Sequence, residues 1–314
     1  MADSKEIEEY QTLSYTVRED EAFQRVDAFL AAMDTDHSRS FYTKLVKEGQ
    51  LSVNGKSVTK PAFSLGEGDE VTIHIPAPKE LEVEAQDIPL DILYEDDDLI
   101  IVNKPKGMVV HPADGHSDGT LVNALLFHCK DSLSGINGIL RPGIVHRIDM
   151  NTTGSLIVCK NDASHNNIAE QIKVHSINRI YLGIVHGNVK QDSGTIEAPI
   201  GRSRKDRKKM AIEPDGKEAI THYKVLKRFG DFTYCEFKLE TGRTHQIRVH
   251  MASIGHPLLG DEVYGPKKCP IKGLEGQTLH AWKIGFVHPT TNEYMEFIAP
   301  LPEYFEKLLV RLEK

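Results

Sequence analysis

Long apolar segments and closely spaced cysteines are both missing from this sequence. No run of eighteen or more apolar residues occurs in its 314 residues, which excludes an ordinary transmembrane helix. The first thirty residues are acidic and polar, whereas a secretory signal would be basic and then apolar. The four cysteines lie far apart, with no pair at the two-residue separation typical of zinc or redox sites. We therefore expect a cytoplasmic protein with reduced cysteines and no membrane partner.

Nucleotide-binding loops and internal repeats are absent as well. Neither a G-x-G-x-x-G motif nor a Walker-type loop occurs, so we predict no nucleotide cofactor. With 39% hydrophobic residues, the chain is long enough to bury one large core and the core of a smaller appended domain. The composition thus predicts a two-domain protein.

The negative charge is concentrated in two short segments. The net charge is −8, of which residues 1–22 contribute −5 and residues 79–98 contribute −8, so the rest of the chain carries +5. Between Arg202 and Lys209 six residues are Lys or Arg and one is Asp. Such a strip, which includes Arg204, is either a solvated loop or a surface that neutralises phosphates.

A proline-bounded, charged segment from Pro76 to Pro89 has few large apolar residues, as is typical of a linker. We take residues 77–89 as this linker. It separates an acidic N-terminal tail (1–22) and a small domain (23–76) from a large domain (90–314).

The small domain combines two short helices with short strands. Val26, Phe29, Leu30 and Met33 have the spacing of an amphipathic helix, and a second helix is predicted from about Ser38 or Ser40 to Gly49. Strands are predicted at 51–53 and 71–75, with a tight turn at 54–55. The pattern resembles the S4-type RNA-binding domain, a small α/β domain. The resemblance implies RNA contacts by basic residues of the helices and the turn: Arg25, Arg39, Lys44, Lys47, Lys56 and Lys60.

The large domain has short strands between longer connections and helices. Strands are predicted at 99–102, 155–158, 180–185, 234–239 and 293–298, and helices at 121–129, 163–173, 244–254 and 303–312. Hairpin-like neighbours mixed with long connections predict an α+β fold with a mixed, largely antiparallel sheet flanked by helices.

The segment from Gly143 to Gly154, which reads G-I-V-H-R-I-D-M-N-T-T-G, brings the Asp149 carboxylate next to a cation, an imidazole and small hydroxyl residues. On chemistry alone, Asp149 either takes part in catalysis or merely caps a helix or closes a loop. The string resembles the H-R-L-D-x-x-T-S-G signature of the RluA/RluD-type pseudouridine synthases, with Ile148 for Leu and Thr153 for Ser. In that family the Asp is essential, which implies that Asp149 is catalytic.

Further segments match the same family in the order that it requires. Residues 95–112 resemble the strand and loop that open its catalytic domain, and residues 178–181 (N-R-I-Y) resemble its second motif. The T-G-R-T-H-Q-I-R-V-H string at 241–250, which continues to Gly260-Asp261, resembles the third. The resemblance spans about residues 90–300. It implies a central catalytic cleft and an isomerase that converts uridine to pseudouridine in structured RNA.

The resemblance also assigns roles to individual residues. Asp149 acts as a nucleophile or as a general base, and the sequence leaves both routes open. The Arg of the third motif is the family's salt-bridge partner of this Asp, which implies Arg248, with Arg243 as the fallback. Tyr181 of the second motif stacks on uracil, and its hydroxyl is placed to mediate proton transfer.

RNA contacts follow from the same motifs. The target uridine must leave its stack, and the planar cation of Arg147 is suited to fill the gap. His146 either contacts RNA or orients the loop. The predicted RNA-binding set of the large domain is completed by Lys104, Arg243, His245, Gln246, Arg202 and Arg204. The reaction is an isomerisation, so we predict no redox cofactor and no ATP. We expect a monomer that acts on ribosomal RNA of the large subunit, with transfer RNA as the other substrate to consider.

Two readings from other classes compete with this one. A histidine-metal hydrolase would use His245, His250 and His256, but separations of five and six residues do not place them on one helix face, so we predict no metal. A non-catalytic RNA-binding or ribosome-assembly protein would keep the old site only as a binding surface. The intact Asp149, Tyr181 and Arg248 argue against it.

Overall fold

The computed structural model describes residues 10–34, 39–76, 83–112, 115–130, 132–134, 142–206 and 209–314. By its internal contacts the chain divides into two units, Met1–Glu80 and Leu81–Lys314. The division falls inside the segment predicted as a linker. Within the described residues, no helix is both long enough and apolar enough to cross a membrane.

The N-terminal unit packs two helices on a four-stranded antiparallel sheet of order β1-β4-β2-β3. Its elements are β1 (Tyr10–Thr16), α1 (Val26–Met33), α2 (Arg39–Lys47), β2 (Leu51–Val53), β3 (Lys56–Ser57) and β4 (Glu70–Pro76). A short 3-10 turn spans Glu19–Glu21. Phe29 and Leu30 of α1, Tyr42 of α2 and Ile73 of β4 are buried in one apolar core. Both predicted helices and the predicted turn at 54–55 are present.

Strand β1 corrects the predicted acidic tail. It pairs with β4 along its whole length, from Tyr10 opposite Pro76 to Thr16 opposite Glu70. Leu13 and Tyr15 pack against the core, whereas Thr12, Ser14 and Thr16 are exposed, which is the alternation of a half-buried strand. The prediction of a tail over residues 1–22 is therefore wrong for residues 10–22, and residues 1–9 lie outside the described part. The negative net charge of residues 1–22 suggested a solvated tail. Net charge does not show the alternation of apolar and polar side chains that indicates a strand.

The C-terminal unit is built on a nine-stranded sheet. Its elements in chain order are β5 (Ile92–Glu95), β6 (Leu99–Lys104), α3 (Leu121–Cys129), β7 (Thr153–Cys159), α4 (Asp162–Lys173), β8 (Asn178–His186), β9 (Ser193–Glu197), β10 (Ile200–Arg202), β11 (Met210–Ile212), β12 (Ile220–Arg228), β13 (Phe232–Leu239), α5 (Gln246–Ser253), β14 (Leu279–Val287), β15 (Tyr294–Ile298) and α6 (Glu303–Leu312). The sheet order is β5-β6-β7-β14-β8-β13-β12-β9, and β15 also pairs with β14. Strands β10 and β11 form a separate two-stranded hairpin.

The sheet is mixed at one place only among the described strands. Strands β7 and β14 are parallel and pair at His280 with Thr153 and at Ala281 with Gly154, whereas all other neighbours in this sheet are antiparallel. From Lys283 onward, β15 takes over the same edge of β14. The predicted α+β class with a largely antiparallel sheet is confirmed.

Helices cover both faces of the sheet, so its strands are apolar on both sides. Ile100 and Val102 of β6 belong to the core that includes α3 and α5, whereas Leu99 and Ile101 belong to the core of α4. Strand β8 alternates in the same way, because Tyr181 faces the first core and Leu182 packs with α6. Tyr181 therefore lies on the sheet face that α5 covers.

Residues 83–89 also differ from the prediction of a free linker. The Gln86 backbone N–H donates to the Asn123 carbonyl at 3.0 Å, and Asn123 Nδ2 donates to the Glu84 carbonyl at 2.8 Å. Val83 packs against the core of the large unit. The described half of the predicted linker is thus fixed to α3, and residues 77–82 lie outside the described part.

Gly154 lies where β7 meets β14, and the backbones of the two strands approach closely at this residue. Its φ is +107°, and a Cβ atom built on it would lie 2.3 Å from the Ala281 carbonyl oxygen. We expect Gly154→Ala to lower the free energy of unfolding by about 2–4 kcal/mol, from backbone strain and overpacking together. Urea denaturation measures this loss.

Gly230 provides the matched control. Its φ is +79°, but no atom lies within 4 Å of the position that a Cβ would take there. Gly230→Ala should therefore cost only the backbone strain, about 1 kcal/mol. Equal losses in the two variants would show that the close approach of β14 does not constrain position 154.

Candidate active site

The loop before β7 holds Asp149 by backbone hydrogen bonds on both sides. The Cys159 N–H donates to the Gly143 carbonyl at 2.8 Å, and the Thr152 N–H donates to the Asp149 carbonyl at 2.9 Å. Gly143 has a φ of +70°, and a Cβ there would lie 2.6 Å from the Cys159 carbonyl oxygen, so the close approach of the loop to β7 requires glycine. The segment recognised in the sequence is thus a tight loop folded back on β7.

A guanidinium from α5 contacts the Asp149 carboxylate. Arg248 Nη1 donates to Asp149 Oδ2 at 2.9 Å, and the side chains of Arg248 and Asp149 are 7% and 20% exposed. An ion pair with this charge-assisted hydrogen bond stabilises the ionised carboxylate. The structure therefore brings together residues 149 and 248, which are 99 positions apart in the sequence.

Asp261 holds the other side of the same guanidinium. Arg248 Nε donates to Asp261 Oδ2 at 2.7 Å and Arg248 Nη2 donates to Asp261 Oδ1 at 3.0 Å, and the Asp261 side chain is fully buried. Burial alone would raise the pKa of Asp261, but the hydrogen bonds and charge of Arg248 and two backbone N–H donors outweigh it and lower that pKa. Burial alone would likewise lower the pKa of Arg248, but both carboxylates raise it. The guanidinium is therefore fixed in charge and direction.

A cavity of about 50 Å³ lies beside Asp149, next to a larger cleft of about 370 Å³ that shares Asp149 and Arg147 in its walls. Tyr181, Leu279 and Ile148 provide apolar walls, and Arg243 lines the same cavity. Burial raises the pKa of Tyr181, so its hydroxyl carries its proton at neutral pH. The cavity has room for a few waters only, so its walls must shift to admit a nucleobase.

Lys104 was predicted to contact RNA, but its side chain is fully buried. Its Nζ donates to the carbonyls of Pro105 and Met108 at 2.8 Å each and of Met150 at 3.0 Å, which uses all three N–H groups of an ammonium. Burial lowers the pKa of Lys104 to about 7, and the charge of Asp149 opposes this shift. In this structure Lys104 ties β6 to the catalytic loop and does not face an RNA surface, so the burial argues against that prediction.

His146 and Gln246 also bind backbone groups. His146 Nε2 accepts a hydrogen bond from the Ile157 N–H at 3.0 Å, and burial and the charge of Arg179 lower the pKa of His146 to about 3. The Gln246 side chain accepts from Thr241 Oγ1 and the Arg243 N–H, and it donates to the Ile220 carbonyl and Thr221 Oγ1. Both side chains are engaged in holding loops, which argues against direct RNA contacts.

His245 lies at the mouth of the site, just before α5. Its Nε2 is 3.9 Å from Asp149 Oδ1, and its Nδ1 is 2.8 Å from the Tyr264 hydroxyl. Helix α5 begins at Gln246 and not at the predicted residue 244, because His245 has a φ of +56°, in the left-handed region that a helix cannot include. Arg243 is half-buried, and its Nε donates to the Glu218 carbonyl at 2.7 Å.

The remaining predicted RNA-binding residues are exposed. In the N-terminal unit, Arg25 and Arg39 both pair with the buried carboxylate of Asp27, at 2.9 and 3.3 Å, and remain about half exposed. Lys44 and Lys47 lie on the exposed face of α2. In the C-terminal unit, Arg202 and Arg204 lie on or just after β10, and Arg204 pairs with Glu213 and Asp215. Positions 207 and 208 of the basic strip lie outside the described part.

The three histidines of the metal-hydrolase alternative have separate partners. His250 contacts Thr221 Oγ1 and the Ala198 carbonyl, and His256 contacts the His186 carbonyl. A different group, Asp96, Asp98 and His288, has possible ligand atoms within 4.8 Å of one another. However, His288 Nδ1 accepts backbone N–H groups from residues 290 and 291, so Nε2 carries the proton that is donated to Asp96 at 2.8 Å. Hydrogen bonds account for this cluster without a metal ion.

Two residues of the site had been given no role from the sequence. Asp261 was noted only as part of a motif, although it anchors Arg248. Tyr264 lies with its ring 5.1 Å from the Arg248 guanidinium carbon and had not been singled out. The dipeptide Gly260-Asp261, which continues the third motif, was the available signal, because a buried arginine needs a carboxylate partner.

Comparison with known proteins agrees with this geometry. The family model described as RNA pseudouridylate synthase matches residues 98–253, and the S4 domain model matches residues 24–71. A solved structure, the human RNA pseudouridylate synthase domain containing 1, is 25% identical with a TM-score of 0.54, and the match covers 75% of this chain and 97% of that chain.

Relatives match over nearly the full length. An uncharacterized RNA pseudouridine synthase of Bacillus subtilis is 52% identical over 302 residues, which cover 96% of this chain and 98% of the relative. The ribosomal large subunit pseudouridine synthase D of Zymomonas mobilis is 46% identical over 310 residues, with 96% and 98% covered. The protein of that name from Pseudomonas aeruginosa is 43% identical over 302 residues, with 93% and 92% covered.

The expected activity class is thereby confirmed, together with the expected RNA partner. Identity of this extent over both units includes the S4 domain as well as the unit that holds the carboxylate pocket. The chain belongs to the RluA/RluD-type RNA pseudouridine synthases, isomerases that act on RNA and here carry an N-terminal S4 domain.

Proposed function

We propose that this enzyme converts uridine to pseudouridine in ribosomal RNA of the large subunit, with Asp149 as its catalytic carboxylate. The substrate is favoured by the names of relatives such as the Zymomonas mobilis synthase, and transfer RNA is the alternative. The observation that carries the catalytic assignment is the carboxylate of Asp149, held by Arg248 at the wall of a cavity. We further expect the enzyme to act as a monomer in the cytoplasm.

The reaction breaks the bond between uracil N1 and the ribose, turns the base, and joins C5 to the same sugar carbon. The proton on C5 is released and N1 gains one, so no electrons are exchanged with a cofactor. Asp149 takes part as a nucleophile or as a base on the ribose, through the oxygen that Arg248 does not bind. Arg248 acts through Asp149 and is therefore a positioning residue.

Tyr181 and Arg147 supply the contacts with the flipped nucleotide. Tyr181 forms a cavity wall beside Asp149, where its ring can stack on uracil and its hydroxyl can mediate proton transfer. Arg147 is exposed and lines both the cavity and the cleft. Its guanidinium is placed to occupy the gap in the RNA stack, which offsets part of an extrusion cost of a few kcal/mol.

The exposed cations provide the remaining affinity for RNA. Arg25 and Arg39 are held side by side by Asp27, so the two guanidinium groups lose little conformational entropy on meeting phosphates. Lys44 and Lys47 extend this surface along α2. In the C-terminal unit, Arg202, Arg204, Arg243 and His245 are the proposed contacts.

Deletion of the gene is the direct test. Sequencing of ribosomal and transfer RNA after a pseudouridine-specific chemical treatment should show one or a few pseudouridines lost from large-subunit RNA. The wild-type enzyme should restore them, whereas Asp149→Asn should not and should still bind RNA, because the amide keeps the shape but removes the charge. In vitro, tritium release from C5 of labelled uridine should fall by about 10³-fold or more.

Asp97→Asn is the matched control, because Asp97 is exposed and lies outside the cavity. It should restore every site. Loss of pseudouridine from transfer RNA alone would overturn the substrate assignment, and restoration by Asp149→Asn would overturn the catalytic one.

The bridge between Asp149, Arg248 and Asp261 predicts a loss of turnover without a matching loss of RNA binding. Asp261→Asn removes the charge that fixes the guanidinium, so we expect kcat to fall about 10- to 100-fold with KM within about threefold. Arg248→Lys keeps a charge but cannot reach both carboxylates in a fork, and should lose at least as much. Steady-state tritium release and thermal melting of each variant measure these effects. Wild-type kcat in a folded Asp261→Asn variant would refute the anchoring role.

The enclosed imidazole of His146 predicts a pH dependence of stability. An unfolded His titrates near 6.5, whereas the pKa of His146 in the folded protein is about 3. Between these values only the unfolded chain binds the proton, so stability is fully present above pH 6.5 and falls on acidification, by up to about 1.4 kcal/mol per pH unit.

His146→Gln should remove this contribution, because a Gln side-chain oxygen can still accept from the Ile157 N–H but does not titrate in this range. Denaturant unfolding of both proteins between pH 7 and pH 4 gives the difference. Parallel curves would contradict an enclosed, neutral His146 that orients the loop.

A further inference from the structure

The Tyr264 hydroxyl is hydrogen-bonded on two sides, in a place that the catalytic assignment above does not use. The Met210 backbone N–H of β11 donates to it at 2.9 Å, and His245 Nδ1 lies 2.8 Å from it. The Tyr264 ring contacts the His245 ring edge-on at 5.6 Å and lies 5.1 Å from the Arg248 guanidinium carbon. The Tyr264 side chain therefore contacts the β10–β11 hairpin, His245 and Arg248, the partner of Asp149.

The directions of these hydrogen bonds determine the tautomer of His245. A backbone N–H can only donate, so the Tyr264 oxygen accepts from Met210 and its own proton needs an acceptor. Among the hydrogen bonds that the described residues make with Tyr264, His245 Nδ1 is the available acceptor. With Nδ1 accepting, a neutral imidazole carries its proton on Nε2. The reverse assignment would point the Nε2 lone pair at the Asp149 carboxylate and leave the phenol proton unpaired.

The Nε2–H group then faces the oxygen of Asp149 that Arg248 does not bind. The distance from His245 Nε2 to Asp149 Oδ1 is 3.9 Å, too long for a hydrogen bond, whereas Arg248 Nη1 donates to Asp149 Oδ2 at 2.9 Å. A shift of about 1 Å would bring the pair into hydrogen-bond range. His245 is thus a second donor that faces the carboxylate from the side of the reacting oxygen.

The backbone of His245 supports a special role for this position. Its φ of +56° is uncommon for a residue other than glycine and costs on the order of 1 kcal/mol or more. The Tyr264 contact and the start of α5 maintain this conformation. The charged groups around the imidazole are Asp149, Arg248, Asp261 and Arg147, and burial is the main cause that lowers the pKa of His245, which favours the neutral ring.

We propose that His245 and Tyr264 are positioning residues for the isomerisation: Tyr264 fixes the Nε2–H tautomer of His245, and that N–H orients the open oxygen of Asp149. The proposal rests on the catalytic role proposed for Asp149. Because Tyr264 also accepts from Met210, the orientation of His245 depends on the β10–β11 hairpin, which carries Arg202.

Three substitutions separate the two hydrogen bonds. Tyr264→Phe keeps the ring and removes the hydroxyl. His245→Asn suits a left-handed backbone and places its amide near the former Nδ1, so it keeps a partner for Tyr264 but does not reach Asp149. His245→Gln places its amide near the former Nε2 and keeps a donor toward Asp149 without needing Tyr264.

We expect kcat to fall about tenfold in Tyr264→Phe and in His245→Asn, the effect of one hydrogen bond, and KM to stay within about twofold in Tyr264→Phe, which removes no proposed RNA contact. His245→Gln should rescue most of this loss, and adding Tyr264→Phe to it should have no further effect. In nitrogen-15 NMR of the wild-type enzyme, the His245 signals, assigned by their loss in the variants, should show a protonated Nε2 and an unprotonated Nδ1. Tyr264→Phe should shift them toward a mixture.

Three results would overturn the proposal: a protonated Nδ1 with a bare Nε2 in the wild-type enzyme, an unchanged kcat in Tyr264→Phe, or an equal loss on adding Tyr264→Phe to His245→Gln. The NMR measurement on the wild-type enzyme is decisive even where a variant fails to fold. An active Asp149→Asn variant would instead refute the proposed catalytic residue, so the two failures can be told apart.

Discussion

The whole site depends on the division of one guanidinium between two carboxylates. Arg248 places two of its donors on the buried Asp261 and a third on Asp149, so one carboxylate fixes the cation and the other is fixed by it. A buried arginine with a single acid would balance one charge but would leave donors unpaired, at a cost of several kcal/mol. The arrangement also leaves one oxygen of Asp149 open. The loop before β7, the start of α5 and the turn at Asp261 must therefore be held in register with one another.

Enclosed polar side chains supply that register. Lys104 binds the carbonyl of Met150, His146 accepts from β7, and Gln246 joins the loop before α5 to β12. Each of these residues belongs to a motif that had predicted RNA contacts. The burial of Lys104 and Gln246 and the partners of all three side chains argue against such contacts, because a buried donor or acceptor without a partner costs about 1–3 kcal/mol and the partners are backbone groups of the protein itself. Several residues of the motifs thus hold the segments around Asp149 in place. The exposed Arg147 and the half-buried Arg243 and His245 are left as the motif residues that can contact RNA.

The spacing of apolar residues in the sequence predicted the helices that bury one apolar stripe and the strands that form one apolar run. The helices at 121–129 and 303–312 and the strand that holds Tyr181 were found in this way. Strands β12 and β14 were not predicted, because both lie inside the sheet and mix polar and apolar residues without simple alternation. On β14, for example, the polar His280 is fully buried, whereas the apolar Trp282 is only partly buried. Asp149 was identified by its motif alone. Its ion pair with Arg248 was predicted from the family resemblance. The contacts of Asp261 and Tyr264 with Arg248 were found only in the three-dimensional structure, because neither spacing nor composition shows which side chains surround a guanidinium.

The net charge of −8 does not conflict with an RNA substrate, because the acidic residues are concentrated in two short segments of the sequence. In the second segment, Glu95 pairs with Lys160, and Asp96 accepts hydrogen bonds from Tyr94 and His288. Charges that are paired at contact distance produce little field beyond the Debye length, about 8 Å at physiological salt. In the walls of the cleft, Arg248 is neutralised by Asp149 and Asp261, whereas none of the ion pairs among the described residues involves the exposed Arg147. Phosphates approaching that cleft therefore meet the guanidinium of Arg147, and the overall charge of the chain has little influence on their binding.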